Sequence, residues 1–347
     1  MSDSVEESSV EESSGAESSG AESSAEPSDA PAAYTQGGGG DFLGEPLVFI
    51  VGSQRSGTTI LEQLLARHDA VEHWYEPYFV WDYTLGHGED DHRSAAQATP
   101  EVIRFLREEF YRFWRASGAQ LIVEKSPEHC FRIPFVERVF PKARWIHIYR
   151  DGRDATLSIQ REWATRASLV EERSLSRFFA LTRLTLARQP RLRNKLQLLR
   201  HELRGRLSMR RGGLFNKAKW GGAVGWGPRF KGWQEALEEG PLLRFNALQW
   251  AHAVEAACAG LAEVPEERQL SLSYEALLAE PEETLRGVLR FLGVDEGPAA
   301  TLGEGLRRDN HGKWRSAYSA EELKIIEAAL GERLGALGYA LSSASAE

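Results

Sequence analysis

One stretch narrows the fold more than any other. Leu47–Gly52 (LVFIVG) is an unbroken apolar run, the pattern of a strand buried on both faces, as in parallel sheets. A turn with the G-x-x-x-x-G skeleton follows at once (Gly52–Gly57), and then TTILEQLLARH, whose Ile60, Leu61, Leu64 and Leu65 recur at helical spacing. Strand, glycine-rich turn and helix together bring backbone N–H groups and a helix N-terminus to bear on one anion. In nucleoside-triphosphate loops a lysine follows the second glycine and reaches the β- and γ-phosphates. Here that position is Thr58, and Arg55 brings positive charge from inside the loop. The pattern argues against triphosphate hydrolysis and for an anion site, rather than a glycine turn with no ligand.

Two further apolar segments read as strands, Leu121–Glu124 and Trp145–Tyr149, each followed by helical pattern, around Phe131–Phe140 and Asp154–Thr165. Alternation of this kind predicts an α/β fold with a parallel sheet and helices on its faces. The second strand–helix junction, YRDGRDATLS (Tyr149–Ser158), puts Arg150 just past a strand and Ser158 two helical turns later. Ligands of open α/β sheets sit beyond the carboxyl ends of strands. Two such ends carrying hydroxyl and guanidinium groups predict one ligand with two separate phosphate-like groups. The plainer reading makes Asp151 a helix cap and Arg153 with Asp154 a surface pair. The last third reads as helical, with Ser319 and Glu322 as a capping box before a long helix ending near Gly338.

The formal charge of -9 is local. Residues 1–40 hold nine acids and no Lys or Arg, in degenerate Glu/Ser repeats that read as a disordered tail. The rest is neutral, with 42 acids and 42 bases, so nucleic acid is not an expected partner. Within it, Arg173–Lys219 has 14 bases and Glu202 as its lone acid, with Leu192, Leu196, Leu199, Leu203 and Leu207 at helical spacing. A Gly/Trp-rich loop follows, with Trp220, Trp226 and Trp233. Residues 41–347 therefore read as one domain with a basic, Trp-rich insertion at about 173–233. Two cysteines, Cys130 and Cys258, and the lack of a signal-like or membrane-spanning apolar run point to a cytoplasmic protein with small buried thiols.

In order along the chain, RSGTT after a strand, KSP (Lys125–Pro127), FPKARWIHIYRDGRDATLS, Ser273–Val294 and Gly312–Leu323 resemble the PAPS-dependent sulfotransferases, of bacterial and tyrosylprotein-sulfotransferase-like type. The resemblance implies a P-loop-like three-layer fold. It also implies the cosubstrate 3′-phosphoadenosine 5′-phosphosulfate (PAPS) and no metal. On it, Arg55, Ser56, Gly57, Thr58 and Thr59 hold the 5′-phosphosulfate, Arg150 and Ser158 the 3′-phosphate, and Lys313 closes over the cosubstrate. Lys125 resembles the family's lysine near the bridging oxygen, and Arg55 adds charge stabilisation. Glu76 stands in a region similar to the catalytic-Glu segment of tyrosylprotein sulfotransferases, among Trp74, Tyr75, Tyr78, Phe79 and Trp81, where an apolar setting would raise a carboxyl pKa.

Glu72, His73, Glu124 and His129 are the other candidate bases. Pro127 stands where cytosolic small-molecule sulfotransferases have a catalytic histidine, two residues after the lysine. His87, Asp90, Asp91 and His92 could pass for a metal loop, but their spacing matches no structural zinc site and reads as solvated polar loop. The expected acceptor is a hydroxyl on a small molecule, carbohydrate or peptide. The basic helix leaves peripheral membrane contact open, the Trp loop is a candidate cover for the acceptor, and a homodimer is not excluded. Two other functions compete: a P-loop kinase, with Asp151 as its metal-binding acid, and a non-catalytic PAPS or polyanion binder.

Overall fold

In a computed structural model of the chain, residues 41–78, 80–81, 88–171, 220 and 225–342 are described. The acidic tail, the leucine stripe with most of the basic insertion, and His87 lie outside the described residues. Five strands form one parallel sheet: β1 (Leu47–Val51), β2 (Val71–Tyr75), β3 (Leu121–Lys125), β4 (Arg144–Tyr149) and β5 (Gln269–Ser273). Their order is β2-β3-β1-β4-β5. The helices are α1 (Thr58–Leu65), α2 (Pro100–Ser117), α3 (Ile133–Val139), α4 (Gly152–Glu171), α5 (Trp233–Glu238) and α6 (Leu242–Leu261). Then come α7 (Tyr274–Ala279), α8 (Pro281–Leu292), α9 (Ala299–Leu302), α10 (Trp314–Ala317), α11 (Ala320–Leu330) and α12 (Glu332–Ala336).

Side chains alternate across each strand, so the sheet feeds two cores. Val48, Ile50, Val71, Val123, Ile146 and Ile148 pack with α1, α7, α8 and α9. Phe49, Val51, Trp74, Ile122 and Trp145 pack with α2, α3, α4, α6 and α11. The result is the three-layer α/β arrangement that the apolar runs predict, with central β1 pointing its carboxyl end at the glycine loop.

Three expectations are corrected, and one strand was not anticipated. VEHWY forms strand β2 although it carries Glu72 and His73, because neighbouring β3 supplies its parallel ladder. The last third contains edge strand β5, half-exposed and paired only with β4. The long C-terminal helix is two, broken at Gly331 with φ of 56°, although its Ser319–Glu322 capping box is formed. Cys258 is exposed, since it falls off the Val254–Ala257–Leu261 stripe that buries α6, whereas Cys130 is buried and burial pushes its thiol up to about 12. Among the described residues no helix is long and apolar enough to cross a membrane.

Candidate functional site

The glycine loop is closed by contacts that leave no room for a side chain. A Cβ on Gly52 would lie 2.1 Å from the Ile148 carbonyl oxygen, so β1 can approach β4 only as glycine. Gly57 caps α1 in the left-handed region, at φ 99°, and a Cβ there would meet the Tyr274 ring at 2.5 Å. Arg55 also takes a left-handed φ, 69°, which a non-glycine residue adopts only when its surroundings hold it there. Ser56 is buried and shares a 2.8 Å hydrogen bond with Ser53, while Thr58 and Thr59 open α1.

The end of β4 meets this loop. Arg55 Nε donates to Ser158 Oγ at 2.8 Å, tying the glycine loop to α4. Arg150 donates to the Arg55 carbonyl at 3.2 Å and to the Asn310 carbonyl at 2.7 Å, and lies 4.7 Å from the centre of the Tyr274 ring. Its Nε, although buried, has no hydrogen-bond partner among the described residues. Lys313 Nζ donates to Asn310 Oδ1 at 2.9 Å, and Asn310 Nδ2 donates to the Tyr274 hydroxyl at 3.1 Å. Arg55, Arg150, Ser158 and Lys313 thus converge from three separate parts of the sequence.

Asp154 holds that convergence in place. It is buried and accepts from the backbone N–H groups of Gly312 (2.5 Å) and Trp314 (3.1 Å), anchoring the Lys313 segment to α4. Asp151 caps Arg153 N at 2.9 Å and also receives the Arg153 guanidinium, which reaches on to Glu327. The surface-pair reading of Arg153 and Asp154 is therefore wrong: both are buried structural groups. Asp151, the candidate metal acid of a kinase, has its carboxylate committed to that guanidinium.

The second pole lies at the ends of β2 and β3. Lys125, the last residue of β3, is 1% exposed, and its Nζ contacts Glu76 Oε1 directly. Tyr75, in register with Lys125, has its ring 5.1 Å from the ammonium. Glu76 sits between β2 and Pro77 with φ at 39°, a left-handed backbone uncommon for a residue other than glycine. Burial pushes the Glu76 carboxyl above its ordinary value, against the pull of the Lys125 ammonium. Burial by itself would lower Lys125, but the charges of Glu76 and Glu62 outweigh it, and the ammonium is held above its ordinary value. Burial, with Glu128 and Glu76 nearby, keeps Tyr78 a neutral phenol.

Glu72, Glu124 and His129 have partners of their own. His129 Nε2 lies 2.5 Å from Glu124 Oε2, and Ser126 donates to Glu124 at 2.6 Å, all within the core opposite Lys125. Glu72 accepts from the N–H of His73 at 3.0 Å. In the candidate metal loop, buried Asp91 accepts from Arg229 N (2.7 Å) and Nη2 (3.2 Å), an arginine clasp rather than a ligand set. Trp220 and Trp233 of the Trp loop are buried and pack in the core with Trp163 and Phe245. Asn310, Tyr274 and Asp154 are the site residues that sequence reading missed. A signal for Tyr274 existed in the SYEALL segment, and for Asn310 in its place just before GKW.

A profile of the sulfotransferase family matches residues 46–198 and 229–298. Over 166 residues the chain is 24% identical to omega-hydroxy-beta-dihydromenaquinone-9 sulfotransferase Stf3 of Mycobacterium bovis and to its Mycobacterium tuberculosis counterpart. Those alignments cover 31% of this chain and 43% of each relative, less than half the length of the curated relatives. Among solved structures, the sulfotransferase domain from the Synechococcus PCC 7002 olefin synthase is similar, with TM-score 0.46 and 17% identity over 82% of this chain and 94% of that one. Sulfotransferase STF9 from Mycobacterium avium gives TM-score 0.44 and 14% identity, over 86% and 78%.

Proposed function

The chain belongs to the sulfotransferase family, and on that premise we propose that it transfers a sulfuryl group from PAPS to the hydroxyl of an acceptor. The observation that carries the reading is the joining of two anion-binding strand ends. Arg55 reaches Ser158, and Arg150 reaches back to the Arg55 carbonyl, so the loop after β1 and the junction after β4 face a single ligand. A donor with a 5′-phosphosulfate and a 3′-phosphate uses both. In this reading Arg55–Thr59 hold the first group, and Arg150, Ser158 and Lys313 hold the second. Residues 41–347 then form one transferase unit. The break in the family match between residues 198 and 229 falls inside the expected insertion, which supports that division.

Lys125 and Glu76 perform the chemistry. The Glu76 carboxylate takes the acceptor's hydroxyl proton as the acceptor oxygen forms its bond to sulfur. The bond from sulfur to the 5′-phosphate oxygen breaks, its electron pair stays on that oxygen, and Lys125 donates to the charge that develops there. Most of the remaining acceleration comes from holding donor and acceptor in line. The relatives named above support a small-molecule hydroxyl acceptor, and free Cys130 and Cys258 fit the proposed cytoplasmic setting.

The test has two arms. 3′-Phosphoadenosine 5′-phosphate (PAP) is expected to raise the melting temperature, and Arg55→Ala to reduce that shift. Radiolabelled PAPS offered with phenols, sugars, a tyrosine peptide and long-chain primary alcohols is expected to label one class. No shift at saturating PAP and no labelled product would sink the proposal. A shift without label transfer would instead leave a non-catalytic binder.

A further inference from the structure

One buried carboxylate has no use in the scheme so far. Glu62, on α1, is 0% exposed, and neither of its oxygens has a hydrogen-bond partner among the described residues. His73 of β2, 1% exposed, places Nδ1 at 3.4 Å from Glu62 Oε1, and both its ring nitrogens are likewise without hydrogen bonds among the described residues. An acid sealed from water with no donor to hold it is a costly arrangement unless a nearby cation uses its charge.

The sheet register supplies the cation. His73, Tyr75 and Lys125 fall on the α1 side of the sheet, where Val71 and Val123 also pack. Tyr75 is paired with Lys125, and His73 lies two residues before it. The charged and titratable groups around this point are Glu62 from α1, His73 and Tyr75 from β2, Lys125 from β3, Glu76 and Tyr78 from the segment after β2, and Glu128 from the turn after β3. Glu62 acts electrostatically on both members of the Lys125–Glu76 pair.

Resting on the proposed sulfuryl transfer, we infer that Glu62 is a positioning residue. It is a second anion that keeps Lys125 charged after Glu76 has taken the acceptor's proton, and His73 anchors it. The reaction itself breaks the Lys125–Glu76 ion pair, because the proton lost by the acceptor neutralises Glu76 just as Lys125 must serve the leaving phosphate oxygen. A fixed carboxylate that never contacts substrate bridges that moment. Before the proton moves, the same charge makes Glu76 a stronger base.

The sign of the consequence follows. A nearby negative charge raises the pKa of a carboxyl and of an ammonium alike. Removing it lowers both, so the acid limb of the pH profile, set by Glu76, moves toward acid. The experiment measures kcat and KM from pH 5 to 11 with labelled PAPS and the best acceptor of the panel, for wild type, E62Q and E62D. E62Q is expected to move the acid limb to lower pH and to cut kcat about tenfold at the wild-type optimum, with KM for PAPS unchanged. E62D draws the charge one methylene back and moves the acid limb the same way by less. It decides the matter if E62Q does not fold. An acid limb that stays in place, or a loss confined to KM, overturns the role of Glu62 and leaves the transferase reading intact. A wild-type protein that transfers no label overturns both.

Discussion

The two poles of the site hold their cations differently. At the β1/β4 end, Arg150 and Lys313 donate to carbonyl and amide oxygens, and the Asp154 carboxylate, hydrogen-bonded to backbone N–H groups, stands 3.8 Å from the Arg150 guanidinium. At the β2/β3 end, a buried cation directly contacts a partly exposed carboxylate. Neutral oxygens are easily exchanged for an incoming phosphate, which suits the binding role proposed for the first pole. The second pole holds a carboxyl whose basicity is raised and an ammonium that stays charged, which suits the proton transfer proposed there. If binding and chemistry are carried by different strand ends, as proposed, changes at each should be separable.

The sharpest way to break that division is at the second pole. Glu76→Gln removes the proposed base and is expected to lower kcat about 10²- to 10⁴-fold. Lys125→Ala is expected to lower it about 10²- to 10³-fold, the range for losing one preorganised donor. Both should keep the PAP-induced rise in melting temperature. If either abolishes PAP binding, the two poles are not independent. The raised Glu76 carboxyl also sets a sign: protonated, it cannot accept, so kcat/KM should fall as pH drops through a value above the ordinary carboxylate range.

The next effect belongs to the first pole. Arg150→Ala removes charge-assisted bonds worth about 1.5–3 kcal/mol, so calorimetry should show PAP bound roughly 10- to 100-fold more weakly. Transfer at saturating PAPS should fall far less than in Glu76→Gln. Equal losses in kcat would merge the two poles into one.

The first pole was also the more legible in sequence, for a physical reason. β1 is wholly apolar, its loop needs glycine where backbones touch, and Arg150 and Ser158 sit in one short stretch with β4. β2 was hidden because its five residues include Glu72 and His73, both buried, which break the apolar run a buried strand usually shows. β5 was hidden because an edge strand needs no apolar run. Asp154 acts on the backbone N–H groups of Gly312 and Trp314, and backbone contacts between distant segments leave no residue signature. Lys125–Glu76 was readable only through resemblance, since a 49-residue separation has no local pattern.

A smaller effect probes what the poles share. Gly57 touches Tyr274, whose ring flanks Arg150, and its left-handed φ disfavours any other residue. Gly57→Ala should cost about 1–3 kcal/mol of stability from backbone strain, seen as a lower denaturation midpoint. It should also weaken PAP binding, while any transfer that remains keeps the pH profile of the wild type. A displaced profile would mean that the loop also tunes Lys125 and Glu76.

The smallest effect tests whether stability can be moved while both poles stay still. His147 lies within β4, buried, its Nε2 without a partner among the described residues, and burial pushes its imidazole down to about 4 from 6.5. A folded pKa below the unfolded one means that the unfolded chain binds the proton first. The contribution is therefore fully present above pH 6.5 and is lost as pH falls toward 4, to a limit of about 3 kcal/mol. His147→Phe keeps a ring there and removes the titration. Its denaturant stability relative to wild type should be flat above pH 6.5 and rise in its favour between 6.5 and 4. At pH 7.5, kcat and PAP affinity should both match wild type. If either changes, β4 couples its interior to the binding pole, and the independence of the strand ends extends only to their tips.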